Sequence, residues 1–106
     1  MAKFLMQGSF TEHGVKGLAK DGGSKRRQAV EQFFASAGGK LEALYFAFGD
    51  TDVFAIVDFP DNASAVAISL AGNAAGQITV KATVLITPEE MDRAAEKSRG
   101  LRPPGA

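Results

Sequence analysis

The chain has no cysteine and no tryptophan, and only one histidine and one tyrosine in 106 residues. Without cysteine there is no disulfide, no zinc–thiolate centre and no thiol nucleophile. The absence fits a reducing cytosol. A lone histidine supplies neither a metal cluster nor, with no cysteine or serine placed beside it, a catalytic triad, so no metal and no cofactor is expected. Charge of one sign is missing too: twelve Lys and Arg balance twelve Asp and Glu. A neutral chain has no global field to draw nucleic acid or an anionic membrane, and neither is expected as a partner. No apolar run approaches the length of a membrane span. The opening "MAKFLMQGSF" turns polar too soon for a secretory signal core. These absences describe a soluble cytoplasmic protein.

What is present is an ordinary globular composition, 45% hydrophobic. At this length one domain is expected, burying about two thirds of the surface its unfolded chain exposes. The domain is read over residues 1–99. Residues 100–106, with Pro103 and Pro104, form an extended tail.

Lys3 to Phe10 is a short apolar strand, and Thr11 offers an N-cap oxygen to the helical piece that follows. Gly14 and Gly17 weaken that piece, each by up to about 1 kcal/mol against alanine. "DGGS" breaks it, and Ser24 is the expected cap of a stronger helix. Val30, Phe33, Phe34 and Ala37 share one face of that helix, and Gly38 and Gly39 end it. "KLEALYFAF" and "VFAIVDF" read as a hairpin around "GDTD". Pro60 stops the second strand. Asp61 or Asn62 caps a helix of small residues that Gly76 closes, and "QITVKATVLI" alternates as a long strand. Thr87, Pro88 and two acids then announce a terminal helix. The order βαββαβ plus a C-terminal helix is the α+β ferredoxin-like arrangement: a four-stranded antiparallel sheet, first and third strands central, with the two long helices on one face.

A four-residue hairpin loop sets Phe48 opposite Val53, Tyr45 opposite Ile56 and Ala43 opposite Asp58. Leu44, Phe46, Val53, Val57 and Phe59 then face the helices. Tyr45, Phe54, Ile56 and Asp58 face away, with Leu5, Gln7, Lys81 and Leu85 beside them. An uncovered sheet face of that kind predicts a second copy packed against it, about 10 Å away. The expected partner is the chain itself, as a dimer or larger even assembly, with a small molecule as the other candidate.

"YFAFGDTDVFAIVDFPDN", "SKRRQAVEQ", "AGGKLEA" and "VLITPEEMD" together resemble the GYD-domain family of small bacterial proteins. The resemblance runs over nearly the whole chain, including the "RPPGA" tail. The stretch corresponding to the name-giving Gly-Tyr-Asp element is Gly49-Asp50-Thr51-Asp52, with Thr51 where the tyrosine would stand. The resemblance implies a dimeric α+β barrel, and it carries over no established activity. Relatives in the wider barrel group include cofactor-independent monooxygenases, isomerases, haem enzymes and effector-binding modules, so the fold does not choose a function.

The residues offer few candidates for chemistry. Asp50 and Asp52 suit a hairpin turn, with a pocket rim as their functional reading. Asp58 on a mostly apolar face needs a partner, for which Lys81 and the Tyr45 hydroxyl are the candidates. It is an interface ion pair or a polar anchor in a ligand cavity. His13 is a surface histidine or, with Tyr45 and Asp58, an acid–base group. Lys25 and Arg26 in "GGSKRR" lie where a helix begins; they are a solvated face with an Arg27–Glu31 pair, or an anion site. Gly8 leaves room in the first strand for an apolar cleft running toward His13. The leading reading is a homo-oligomeric small-molecule-binding or accessory module rather than an enzyme. A cofactor-independent enzyme acting on an apolar small molecule and a structural assembly unit are the alternatives.

Overall fold

A computed structural model describes residues 2–47 and 49–105. Eight elements follow one another: β1 (Ala2–Phe10), α1 (Glu12–Asp21), α2 (Gly23–Ala35), β2 (Lys40–Phe46), β3 (Val53–Phe59), α3 (Asn62–Ala75), β4 (Ile78–Leu85) and α4 (Pro88–Ser98). The strands form one antiparallel sheet in the order β2-β3-β1-β4. This is the ferredoxin-like arrangement with its first crossover split into two helices. Thr11 caps α1 by accepting from the Gly14 N–H, and Asp61 caps α3 by accepting from Ser64. Thr87 and Glu90 exchange side-chain and backbone hydrogen bonds in a full capping box at the start of α4.

Two local expectations are corrected. Ser24 does not cap α2: the helix starts two residues earlier than such a cap implies, with Gly22 at the cap position and no side-chain cap. Gly22 has φ 80°, a left-handed conformation glycine adopts without strain, so the turn between α1 and α2 falls there. The hairpin register also differs. Phe46 faces Val53, Tyr45 faces Phe54 and Leu44 faces Ala55. The Phe48–Val53 pairing involves a residue outside those described. The loop is longer because Asp52 is pulled toward β1: its N–H donates to the Gly8 carbonyl at 2.8 Å and its carboxylate accepts from the Phe10 N–H at 2.9 Å. The shift is two residues, so each side chain keeps its face. A bulge between Leu41 and Ala43 then sets Leu41 opposite Val57 and Lys40, rather than Ala43, opposite Asp58. It brings Leu41 against the core and removes Glu42 from the apolar side.

The core lies on one face of the sheet. Along β3, Val53, Ala55, Val57 and Phe59 are buried while Phe54, Ile56 and Asp58 are half-exposed. Phe59 has no solvent exposure and receives Phe4 and Phe34 edge-on, with ring centroids 5.7 and 5.9 Å away. Such edge-to-face pairs add about 0.5–1.5 kcal/mol beyond burial. No helix covers the opposite face. α4 buries none of its residues and packs on no other element beyond marginal contact. It extends the molecule to 56 × 28 × 22 Å, with a radius of gyration of 16.6 Å against about 13 Å for a compact chain of this length.

Candidate functional site

The two helices over the sheet stand apart. α3 sits mainly on the edge strand β4, and α2 on the opposite edge strand β2. Small residues set the α3 position. A side chain at Gly72 would bring its Cβ within 2.8 Å of Val80 Cγ2, so glycine lets the helix press against β4. The adjacent Asn73 side chain accepts from the Val80 N–H at 2.9 Å and donates to the Val80 carbonyl at 3.2 Å. That amide pairs with the free edge of β4 and fixes α3 over it.

The gap left between α2 and α3 is an apolar cleft of about 290 Å³. Ala29, Val30 and Phe33 of α2 form one wall, and Ala71, Gly72 and Ala75 of α3 the other. Ile78 forms part of the floor, and Phe10 and Gly14 close one end. A deeper, almost wholly apolar hollow of about 90 Å³ adjoins it and shares Val30, Phe33 and Ile78 as walls. Gly8 lines this inner hollow, where a Cβ would come within 2.5 Å of Ile78 Cδ1 and 2.8 Å of Val53 Cγ1. The space at Gly8 is therefore occupied by those two side chains. The cleft opens between α2 and α3, not toward His13.

Arg26 lines the cleft beside α1. A Cβ at Gly17 would lie 2.8 Å from its Nη2, so the bare helix surface there makes room for the guanidinium. Nη2 donates to Asp21 at 3.4 Å, a long contact. Nε is buried and has no hydrogen-bond partner. The neighbouring cations diverge from it: Lys25 is exposed, and Arg27 reaches Glu31 at 3.9 Å. The basic run thus contributes one side chain to the cleft.

Residues 4–95 match the family model of the GYD domain. The chain belongs to the GYD-domain family. No curated protein and no solved structure matches it. Its Gly49–Asp52 element lies at the hairpin tip, beside the end of β1. Ser9 Oγ donates to the Asp50 carbonyl there, and Asp52 is spent on the β1 backbone as described above. Asp50 and Thr51 also rim a polar hollow of about 250 Å³ on the open sheet face, with Gln7, Ser9, Thr79 and Lys81.

The three acid–base candidates of this GYD-domain chain are not brought together. His13 is exposed on α1, and Tyr45 is 71% exposed on β2. Asp58 sits on the open face, but its partner is neither Lys81 nor Tyr45. Lys3 stands directly opposite it, with Nζ at 3.6 Å, whereas Lys81 stands opposite Gln7. Lys3 also donates to Glu42, the residue displaced by the bulge. Chiefly through that hydrogen bond, with the Asp58 charge adding to it against some desolvation, the ammonium is held above its ordinary pKa. Among the described residues no group of acids and histidines could hold a metal ion, and no helix is long and apolar enough to cross a membrane. Val66, Leu70, Val84, Ile86, Met91 and Leu101 are exposed, and with the extended shape they point to an interface.

Proposed function

We propose that this GYD-domain protein is a homo-oligomeric small-molecule-binding module. The observation that carries the reading is the apolar cleft between α2 and α3. Its walls are mostly small or apolar, with Gln77 as a polar lining residue and Arg26 as the charged one. Together with the inner hollow it falls in the lower part of the ligand-pocket range, roughly 300–1,000 Å³. Catalysis has less support: His13, Tyr45 and Asp58 line neither hollow.

The oligomer rests on the uncovered sheet face. Leu5, Phe54, Ile56 and Leu85 lie there half-exposed around the exposed Tyr45, rimmed by the Lys3–Glu42–Asp58 ion cluster. A second copy packed sheet to sheet buries this apolar centre and leaves the charges at the margin, the usual anatomy of an interface. The cleft lies on the other side of the sheet and stays open in such a pair.

A thermal-shift screen of small apolar compounds tests the binding reading. A compound that binds the folded state raises the melting temperature by mass action, worth about 2.7 kcal/mol at a hundredfold excess over its dissociation constant. A screen with no shift at any soluble concentration contradicts it. Sedimentation at micromolar concentration tests the pairing: a dimer is expected that Phe54→Lys dissociates, and a wild-type monomer removes it.

A further inference from the structure

We infer that the α2–α3 cleft takes a medium-chain carboxylate, its hydrocarbon chain between the helices and its carboxylate on the Arg26 guanidinium. The inference rests on the binding reading above and adds the chemistry of the ligand. A cleft lined by Val30, Phe33, Ala71 and Ile78 offers a chain only dispersion and release of water. Gln77 is the polar lining residue and Arg26 the charged one, so the anionic end of the ligand belongs at Arg26.

At Arg26 the charge is positive and incompletely matched. Arg26 is about 22% exposed, and its one ionic partner, Asp21, meets Nη2 at 3.4 Å. Nε–H is buried without an acceptor. A buried charged donor left unpaired is destabilising. An incoming carboxylate meets the exposed part of the guanidinium, whose planar fork matches its pair of oxygens. A monoanion suits the site better than a phosphate dianion, because one arginine, already partly balanced by Asp21, is the whole of the positive charge among the described residues lining the cleft. Lys25 and Arg27 turn away from it. The outer cleft of about 290 Å³ and the inner hollow of about 90 Å³ suit a chain of medium length. The elements that hold the arginine also serve this geometry. Gly17 leaves the space its guanidinium fills, and the φ of 80° at Gly22 turns α2 back so that Arg26 faces α1.

The experiment is a calorimetric titration of the full chain with octanoate, 1-octanol and octylamine, repeated on Arg26→Gln. Octanoate is expected to bind wild type at least about tenfold tighter than octanol, the size of a charge-assisted hydrogen bond, with octylamine weakest. Arg26→Gln is expected to bring octanoate down to the octanol level and leave octanol unchanged. Equal binding of octanoate and octanol to wild type overturns the assignment of the head group while the apolar site stands. No binding of any of the three overturns the site as well. The comparison among ligands on wild type needs no variant, so a poorly folded Arg26→Gln does not weaken the test. Ala75→Phe, which fills the outer cleft, is expected to abolish binding of both octanoate and octanol; retained binding places them elsewhere and overturns the inference.

Discussion

Gly14 and Gly17 are equivalent by helix propensity: each should stabilise α1 by up to about 1 kcal/mol when replaced by alanine. The structure separates them. At Gly14 an added Cβ falls 2.1 Å from the backbone carbonyl oxygen of Gln77 and 3.2 Å from the Phe10 ring. That carbonyl cannot rotate away freely, because it accepts from both the N–H and the hydroxyl of Thr11, each at 3.0 Å. Relief requires α1 to lift from the start of β4. Overpacking of this kind is destabilising by about 1–3 kcal/mol, and each weakened hydrogen bond adds roughly 1 kcal/mol. Set against a propensity gain of at most about 1 kcal/mol, Gly14→Ala should lose about 1–3 kcal/mol. At Gly17 the Cβ meets only the far end of the Arg26 side chain, at 2.8 Å, which can move. Gly17→Ala should therefore stay within about 0.5 kcal/mol of wild type. Urea unfolding at one fixed protein concentration reads both. With a slope of about 1–1.5 kcal/mol/M for a domain this small, Gly14→Ala should lower the midpoint by roughly 1–2 M. A Gly14→Ala protein as stable as wild type, or more so, refutes the close approach of α1 to Gln77 and the packing that closes this end of the cleft.

Three further outcomes follow from the same contacts. Asn73→Ala removes the amide that ties α3 to the Val80 backbone and should lower stability by about 1–2 kcal/mol in urea, since water replaces part of the loss. It should also raise amide exchange at Val80, and unchanged exchange there contradicts the tie. Phe59→Ala empties the centre of the aromatic cluster and should be destabilising by about 3–5 kcal/mol; a loss below 1 kcal/mol contradicts the burial of that ring. Lys3 has a folded-state pKa raised above 10.5, so its contribution is complete below that value and is lost as the pH rises through the higher folded value. Wild type should lose its advantage over Lys3→Met in that alkaline range, and parallel stability curves there contradict the ion cluster.

The fold was legible because each element announces itself locally. Thr11, Asp61, Thr87 and Gly76 act at the helix ends where their types predict, and the alternation in β1, β3 and β4 divides the sheet into two faces. The bulge at Glu42 was not legible, because it depends on whether Leu41 or Glu42 faces the core once Asp52 has fixed the far end of the hairpin. Asp58 drew its partner from the strand register, which only the assembled sheet defines. Of the candidate ligand residues, Gly8 lines the inner hollow and Arg26 the cleft, whereas Lys25 is exposed and Asp50 and Asp52 work at the hairpin tip. A charge run gives no sign of which member turns inward; that follows from the turn at Gly22 and the bare surface at Gly17. The small residues of α3 predicted close packing on the sheet, and Gly72 provides it. Their second effect, a gap on the side facing α2, arises from the spacing of two helices that share no local sequence.

The most direct measurement is methyl NMR of the full chain titrated with octanoate. Intermolecular contacts should connect the acyl chain to the Val30 and Ile78 methyl groups on the helix side of the sheet. Contacts confined to Ile56 and Leu85 on the open face, or none at millimolar octanoate, contradict the cleft as the ligand site.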